Sequence, residues 1–153
     1  MNQFSRKNEL LGCWVITGLA VCLLGVYLAV ALMWGATFQT EYSLQEGDRI
    51  LVRTVCYALA IIGFPMTNLI RHMQLRLNQT MPGVRTSQQR YQTTIVVSMT
   101  LVQSNALLGV MLYCLGDGRN SLSILLGMSG LAIYLYRPKY PEYQAIKVAL
   151  EAE

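Results

Sequence analysis

The stretch LLGCWVITGLAVCLLGVYLAVALMW, residues 10–34, carries no charged side chain. A helix rises 1.5 Å per residue, so about 20 apolar residues cross the roughly 30 Å hydrocarbon core of a bilayer. This run exceeds that length. Three more uncharged stretches follow, Thr54 to Ile70, Tyr91 to Gly116 and Asn120 to Tyr136. The first and last of these are short by themselves, and Arg53, Arg71 and Arg137 extend them by snorkelling toward the interface. Lipid offers no hydrogen-bond partners, so a spanning segment is a helix or part of a closed barrel. A barrel would alternate apolar and polar residues in pieces of about ten, whereas these runs are continuous. The sequence therefore predicts an all-α, integral membrane four-helix bundle. Its helices are expected at about 10–38, 50–78, 87–116 and 120–137, in a single transmembrane domain over residues 1–153.

Composition agrees. The chain is 54% hydrophobic and only 13% charged, against about 25% charged in soluble domains, and its mean hydropathy is +0.38. Arg6 and Lys7 precede the first run as in a signal peptide. That run is about twice the usual apolar region of a signal, so an uncleaved helix is expected. Trp14 and Trp34 lie 20 residues apart, about 30 Å along a helix, where two interfacial tryptophans would mark its ends.

The charges divide unevenly. Arg6 and Lys7, then Arg71, Arg76, Arg85 and Arg90, then Arg137, Lys139 and Lys147 fall on one side of the expected bundle. Arg49, Arg53 and Arg119 fall on the other, with Glu41, Glu46, Asp48 and Asp117. The positive-inside rule then predicts both termini and the middle connector in the cytoplasm, N-in and C-in. The net charge of +4 is read as this topology signal, with attraction to anionic lipid headgroups. The basic residues are dispersed and accompany no nucleic-acid motif, so no nucleic-acid partner is expected.

Local signals set the boundaries. Met66, Leu69, Ile70, Met73 and Leu77 keep helical spacing past the second apolar run. Met81 to Gly83 is the expected breaker. Thr86 and Gln89 have the spacing of a capping box for the third helix. Gly116 to Arg119 reads as a tight turn joining helices 3 and 4, and Arg137-Pro138 ends helix 4. Tyr143 to Leu150 is expected as a short, weakly amphipathic surface helix. Tyr136, Tyr140 and Tyr143 are expected as an interfacial belt, and Asp48 as a partner of Arg53. Pro65 removes a backbone donor and crowds the carbonyl of Ile61, which predicts a bend in helix 2.

Helices in lipid associate through close approach at small residues. Gly18, Cys22, Gly25 and Ala29 form such a series on helix 1. Cys56, Ala60, Gly63 and Thr67 form one on helix 2, and Ser123, Gly127, Gly130 and Tyr134 one on helix 4. Each steps by four, three and four, the spacing of a left-handed seam. Cys13, Cys22, Cys56 and Cys114 form no CxxC and are read as packing residues rather than a metal or redox site.

Helix 3 is the polar one. At 100° per residue, Thr93, Thr100 and Ser104 align, Thr94, Ser98 and Asn105 align beside them, and Gln103 flanks the first strip. The opposite arc, Ile95, Met99, Val102, Ala106 and Val110, is expected to face lipid. Amides in hydrocarbon need partners, so the polar face should point into the bundle or at another protein. It could bind an ion, headgroup or polar solute, or it could join helices. Joining is the preferred alternative, because no Asp, Glu, Lys, Arg or His lies deep in any expected span.

Gln103 to Gly109, QSNALLG, is similar to the carboxylate helix of rotary ATPase proteolipid subunits. Gly109 matches a glycine of that pattern, and Gln103 stands where the proton-carrying glutamate would be. The whole chain resembles small bacterial four-span membrane proteins with a proteolipid-like third helix, in which a basic-proline pair such as Arg137-Pro138 often ends helix 4. The resemblance implies a multi-pass protein of the bacterial cytoplasmic (inner) membrane. It also implies that this chain, lacking the carboxyl group, does not carry the proton.

No nucleophile–base pair, paired carboxylates or phosphate loop is present in the sequence, and His72 is the only histidine. Glu41 to Arg49 lacks the ordered spacing of a calcium loop. The expectation is a non-catalytic accessory or assembly subunit without a cofactor or metal, whose partners are a larger membrane protein or further copies of itself, and lipids. The alternative is a small oligomeric channel or carrier, and a lipid-modifying enzyme comes third. Thr100, Gln103, Ser104, Asn105, Gly18, Gly25, Gly63 and Gly127 are the expected interface or polar-site residues.

Overall fold

The computed structural model describes residues 3–42, 44–80 and 85–151, all of its regular structure helical. The expected breaker at Met81 to Gly83 lies outside the described residues, as do the side chains of Arg6, Lys7 and Glu41. Five helices follow in order: α1 (Gln3–Tyr42), α2 (Glu46–Thr80), α3 (Ser87–Cys114), α4 (Arg119–Leu135) and α5 (Tyr140–Glu151). Both α1 and α2 outrun their expected ends. The apolar run sets what lipid covers, not where helical hydrogen bonding stops. At the start of α2, Glu46 and Asp48 also complement the helix dipole.

Three helices, Glu9–Gly35 within α1, α2 and α3, are long and apolar enough to cross a membrane. The fourth, α4, has 17 residues, about 26 Å of rise. Their outward surfaces are those of a membrane protein. Leu19, Met33, Leu51, Ile61, Ile62 and Leu131 are all more than half exposed, on a scale that water would not tolerate without a partner.

The capping box is present, with Thr86 Oγ1 accepting from the Gln89 amide and the Gln89 side chain accepting from the Thr86 amide. At the other end of α3, Gly116 takes φ 92°, a left-handed conformation that glycine adopts without steric cost. The chain reverses there into α4. Tyr136 caps α4 just before Arg137-Pro138. α2 runs as one helix through Pro65.

The helices alternate in direction. At one end, the turn end, the Leu44 amide donates to the Leu115 carbonyl and Arg49 to the Gly116 carbonyl. At the other, the connector end, Asn78 donates to the Arg90 carbonyl and Lys147 pairs with Glu9. α3 occupies the centre and touches every other helix, while α1 and α2 pack chiefly on α3. This placement corrects one expectation. Ile95, Met99, Val102 and Ala106, expected to face lipid, are buried, whereas Thr93, Thr100 and Ser104 are exposed. A central helix has no lipid face of its own width. Its broad apolar arc fills the gap to α1 and α4, and short hydroxyl side chains can face outward because they bond to their own helix. Thr100 donates to the Val96 carbonyl and Ser104 to that of Leu101.

α5 corrects another. It starts three residues earlier than expected, at Tyr140, and docks onto α2 and α3 rather than lying free on the surface. Tyr143 and Ile146 are buried there. Pro141 is tolerated because a first-turn amide needs no helical acceptor. Tyr136 and Tyr143 therefore turn inward against Phe64 and Tyr91 instead of forming an exposed belt.

Candidate functional site

Two polar levels run through the bundle. At mid-depth, Gln103 on α3 reaches α1, where its Nε2 donates to the Ala20 carbonyl at 2.6 Å. Its Oε1 is buried without a partner. Asn105, also buried, turns its Oδ1 toward Gly63 of α2, 3.5 Å from where a β-carbon would stand. Ser129 of α4 donates to the Val102 carbonyl at 3.1 Å, and, closer to the turn end, Tyr57 of α2 donates to Ser121 of α4 at 3.0 Å. Each of these contacts lies between two different helices.

Of the expected residues, the structure brings together Asn105 and Gly63, and sets Gln103 against α1. It leaves Thr100 and Ser104 exposed, bonded only to their own helix. Gly18 and Gly25 on α1 and Gly127 on α4 are exposed, and no atom lies within 4 Å of a β-carbon built on any of them. Of the three small-residue series, only the one on α2 is packed inside: Cys56, Ala60 and Thr67 are buried. The glycines that admit close approach inside the bundle are others. A β-carbon on Gly35 would collide with the Tyr113 ring, one on Gly12 with the Gln92 amide, and one on Gly109 would come within 3.0 Å of Leu125 Cβ. These stand alone rather than in a repeating series, so spacing did not mark them.

The second level lies nearer the connector end and was missed in the sequence. Arg71 was expected to snorkel outward, yet its side chain is only 5% exposed. Its Nη2 donates to Glu142 Oε2 of α5 at 2.6 Å and its Nη1 to Ser98 Oγ of α3 at 3.4 Å. The guanidinium also lies 5.8 Å from the centre of the Tyr136 ring, within cation–π range. Tyr91 completes the group. Its hydroxyl accepts from the Lys139 amide at 2.8 Å, and its single proton faces Glu142 Oε2 and the Lys139 carbonyl, both at 3.1 Å. The reason for the inward turn is the carboxylate that α5 supplies. An arginine bound to a carboxylate within a bundle loses less than one left alone. The signal was Glu142 itself, an acidic residue just past a basic-proline stop, at the start of an amphipathic helix.

The turn end has its own pair. Arg53 meets Asp117 at 3.4 Å, not Asp48, which is exposed. Asp117 follows the left-handed Gly116, which turns it back over α2, while Asp48 sits in the first turn of the same helix as Arg53 and on a solvated face. The cysteines are free, Cys13 and Cys56 buried and Cys22 exposed.

Alongside Arg71 the surface opens into a groove of about 520 Å³ between α2, the end of α4 and the start of α5. Charged, polar and apolar side chains line it together, among them Arg71, His72, Lys139, Glu142, Asn68 and Phe64. No protein-family model, curated protein or solved structure gives a significant match to this chain.

Proposed function

We propose that this chain is a non-catalytic protein of a bacterial cytoplasmic membrane, crossing the bilayer four times with both termini inside. It acts by packing sideways against a larger membrane protein or a second copy, as an accessory or assembly subunit. The observation that carries this reading is the outward small-residue series of α1. Gly18, Cys22, Gly25 and Ala29 are all exposed, and the space beside Gly18 and Gly25 is open. Lipid-facing helix surfaces gain nothing from glycine, whereas a partner helix gains close backbone approach. The interior amides give further support, since Gln103 spends its donor on α1 and leaves the outer surface to carry association. A pore or carrier has less in its favour, because the outward hydroxyls of α3 bond to their own backbone and line no path between helices.

The test uses Gly18→Leu and Gly25→Leu together. The expected outcome is loss of the higher-order species in gentle detergent, with the monomer's thermal midpoint unchanged. The same assembly from both proteins, or a single monomeric species without partner from the unaltered chain, sinks the proposal. For the topology, thiol labelling of a cysteine placed at Arg85 should be blocked in intact cells and open in inverted vesicles.

A further inference from the structure

The groove beside α2 changes character along its length. Phe64, Pro65 and Leu135 line one part of it. Asn68, His72 and Lys139 line another, one to two helical turns further along α2, with the Arg71–Glu142 pair beside them. Phe64 to His72 is eight residues, a rise of about 12 Å, which runs from the hydrocarbon toward the headgroup layer if α2 crosses the bilayer. The charge is unbalanced. Glu142 offsets Arg71 at 2.6 Å, whereas Lys139 is exposed and pairs with no carboxylate among the described residues. Arg71 and Lys139 against Glu142 leave the lining with one net positive charge. A concavity of about 520 Å³ is within the usual range for a small-molecule site. Apolar at its deeper part and singly cationic at its outer part, it is complementary to an amphiphile with a monoanionic head.

We propose that this groove is a binding site for an anionic glycerophospholipid. The phosphodiester sits at Lys139, His72 and Asn68, and one acyl chain follows Phe64, Pro65 and Leu135. A zwitterionic lipid fits the same volume but brings its own cation against Lys139, so the site discriminates by charge. The inference rests on the membrane-crossing reading above, because only then does the polar part of the groove meet the headgroups.

The test reconstitutes the full chain in lipid nanodiscs holding equal amounts of phosphatidylglycerol and phosphatidylcholine, and counts retained lipid by native mass spectrometry after mild detergent release. The unaltered chain should retain phosphatidylglycerol in preference. Lys139→Gln should lower that preference about fivefold, the effect of one interfacial cation. Arg85→Gln, which removes the same charge outside the groove, should leave it unchanged. Leu135→Trp should reduce retention of both lipids by filling the chain-binding part. Equal loss from Lys139→Gln and Arg85→Gln overturns the site, since general surface charge would then account for the preference. Displacement of the lipid by matched inorganic phosphate or glycerophosphoglycerol overturns the lipid in favour of a free-anion site. Failure of the chain to enter nanodiscs at all instead refutes the membrane-crossing reading, and is recorded separately by co-elution with the scaffold.

Discussion

α1 and α3 invert the usual relation between apolarity and burial. The apolar window of α1 has mean hydropathy 2.5 and is 17% buried, while that of α3 has mean hydropathy 1.8 and is 50% buried. In water the more apolar helix would occupy the core. Here it is the outer one, and the helix rich in hydroxyls and amides is central. The inversion follows from solvent. Lipid rewards an apolar surface as well as a protein interior does, so burial falls to the helix whose polar groups need partners. α3 satisfies this with Gln103 on α1, Ser98 on Arg71 and Thr94 on Asn78.

The sharpest way to break that contrast is through Arg71. Arg71→Met leaves Glu142 without its cation and should cost about 2–4 kcal/mol, read as a lowered thermal midpoint in detergent. Because Glu142 keeps some exposure, Arg71→Met with Glu142→Met should cost less than the first change alone. An equal or larger loss in the double variant would show that the pair is not coupled.

Next comes close packing on the central helix against open surface on the outer one. Gly109→Leu drives a side chain into Leu125 and should destabilise by about 1–3 kcal/mol. Gly18→Leu, on the open face of α1, should stay within about 0.5 kcal/mol for the monomer. Similar losses at both positions would erase the distinction between the two helices. Gln103→Leu removes the bond to Ala20 but also removes the buried, unpaired Oε1, so the expected cost is only about 0.5–1 kcal/mol. Ser104→Ala should be neutral by the same unfolding assay. Thr86→Ala, which deletes the capping box, should cost about 0.5–1 kcal/mol and raise amide exchange in the first turn of α3.

A small, pH-dependent effect is expected at the tie between α5 and α1. Glu9, 3.6 Å from Lys147, raises the lysine pKa above its ordinary 10.5. A raised lysine stabilises the fold at pH values below 10.5, and that contribution fades as pH climbs through the raised value. A thermal midpoint followed from pH 9 upward should fall through this window. Glu9→Gln should flatten that part of the curve, and an unchanged slope would remove the pair from the account.

Much of the architecture could be read directly. Uncharged length located α1 to α4, of which three are long enough to cross a membrane, Thr86 with Gln89 marked the start of α3, and Gly116 and Pro138 marked the turns. What could not be read was which way each face points. Small-residue spacing on α1, α2 and α4 is the same, yet only the α2 series faces inward, because spacing records a stripe and not its azimuth. Helical phase likewise found the two arcs of α3 but assigned Ile95 and Met99 to lipid, since a central helix is contacted on nearly all sides. Arg71 was misplaced for a related reason. Its partner, Glu142, stands 71 residues away, and no local pattern connects them.

That separation has a consequence for the order of assembly. α2 is synthesised before the segment after Pro141 exists. Until then Arg71 has no counter-ion within the bundle, and α2 and α3 cannot close around it at low cost. Docking of α5 is the step that closes the connector end, and a nascent chain stalled before residue 142 should remain open and protease-sensitive there.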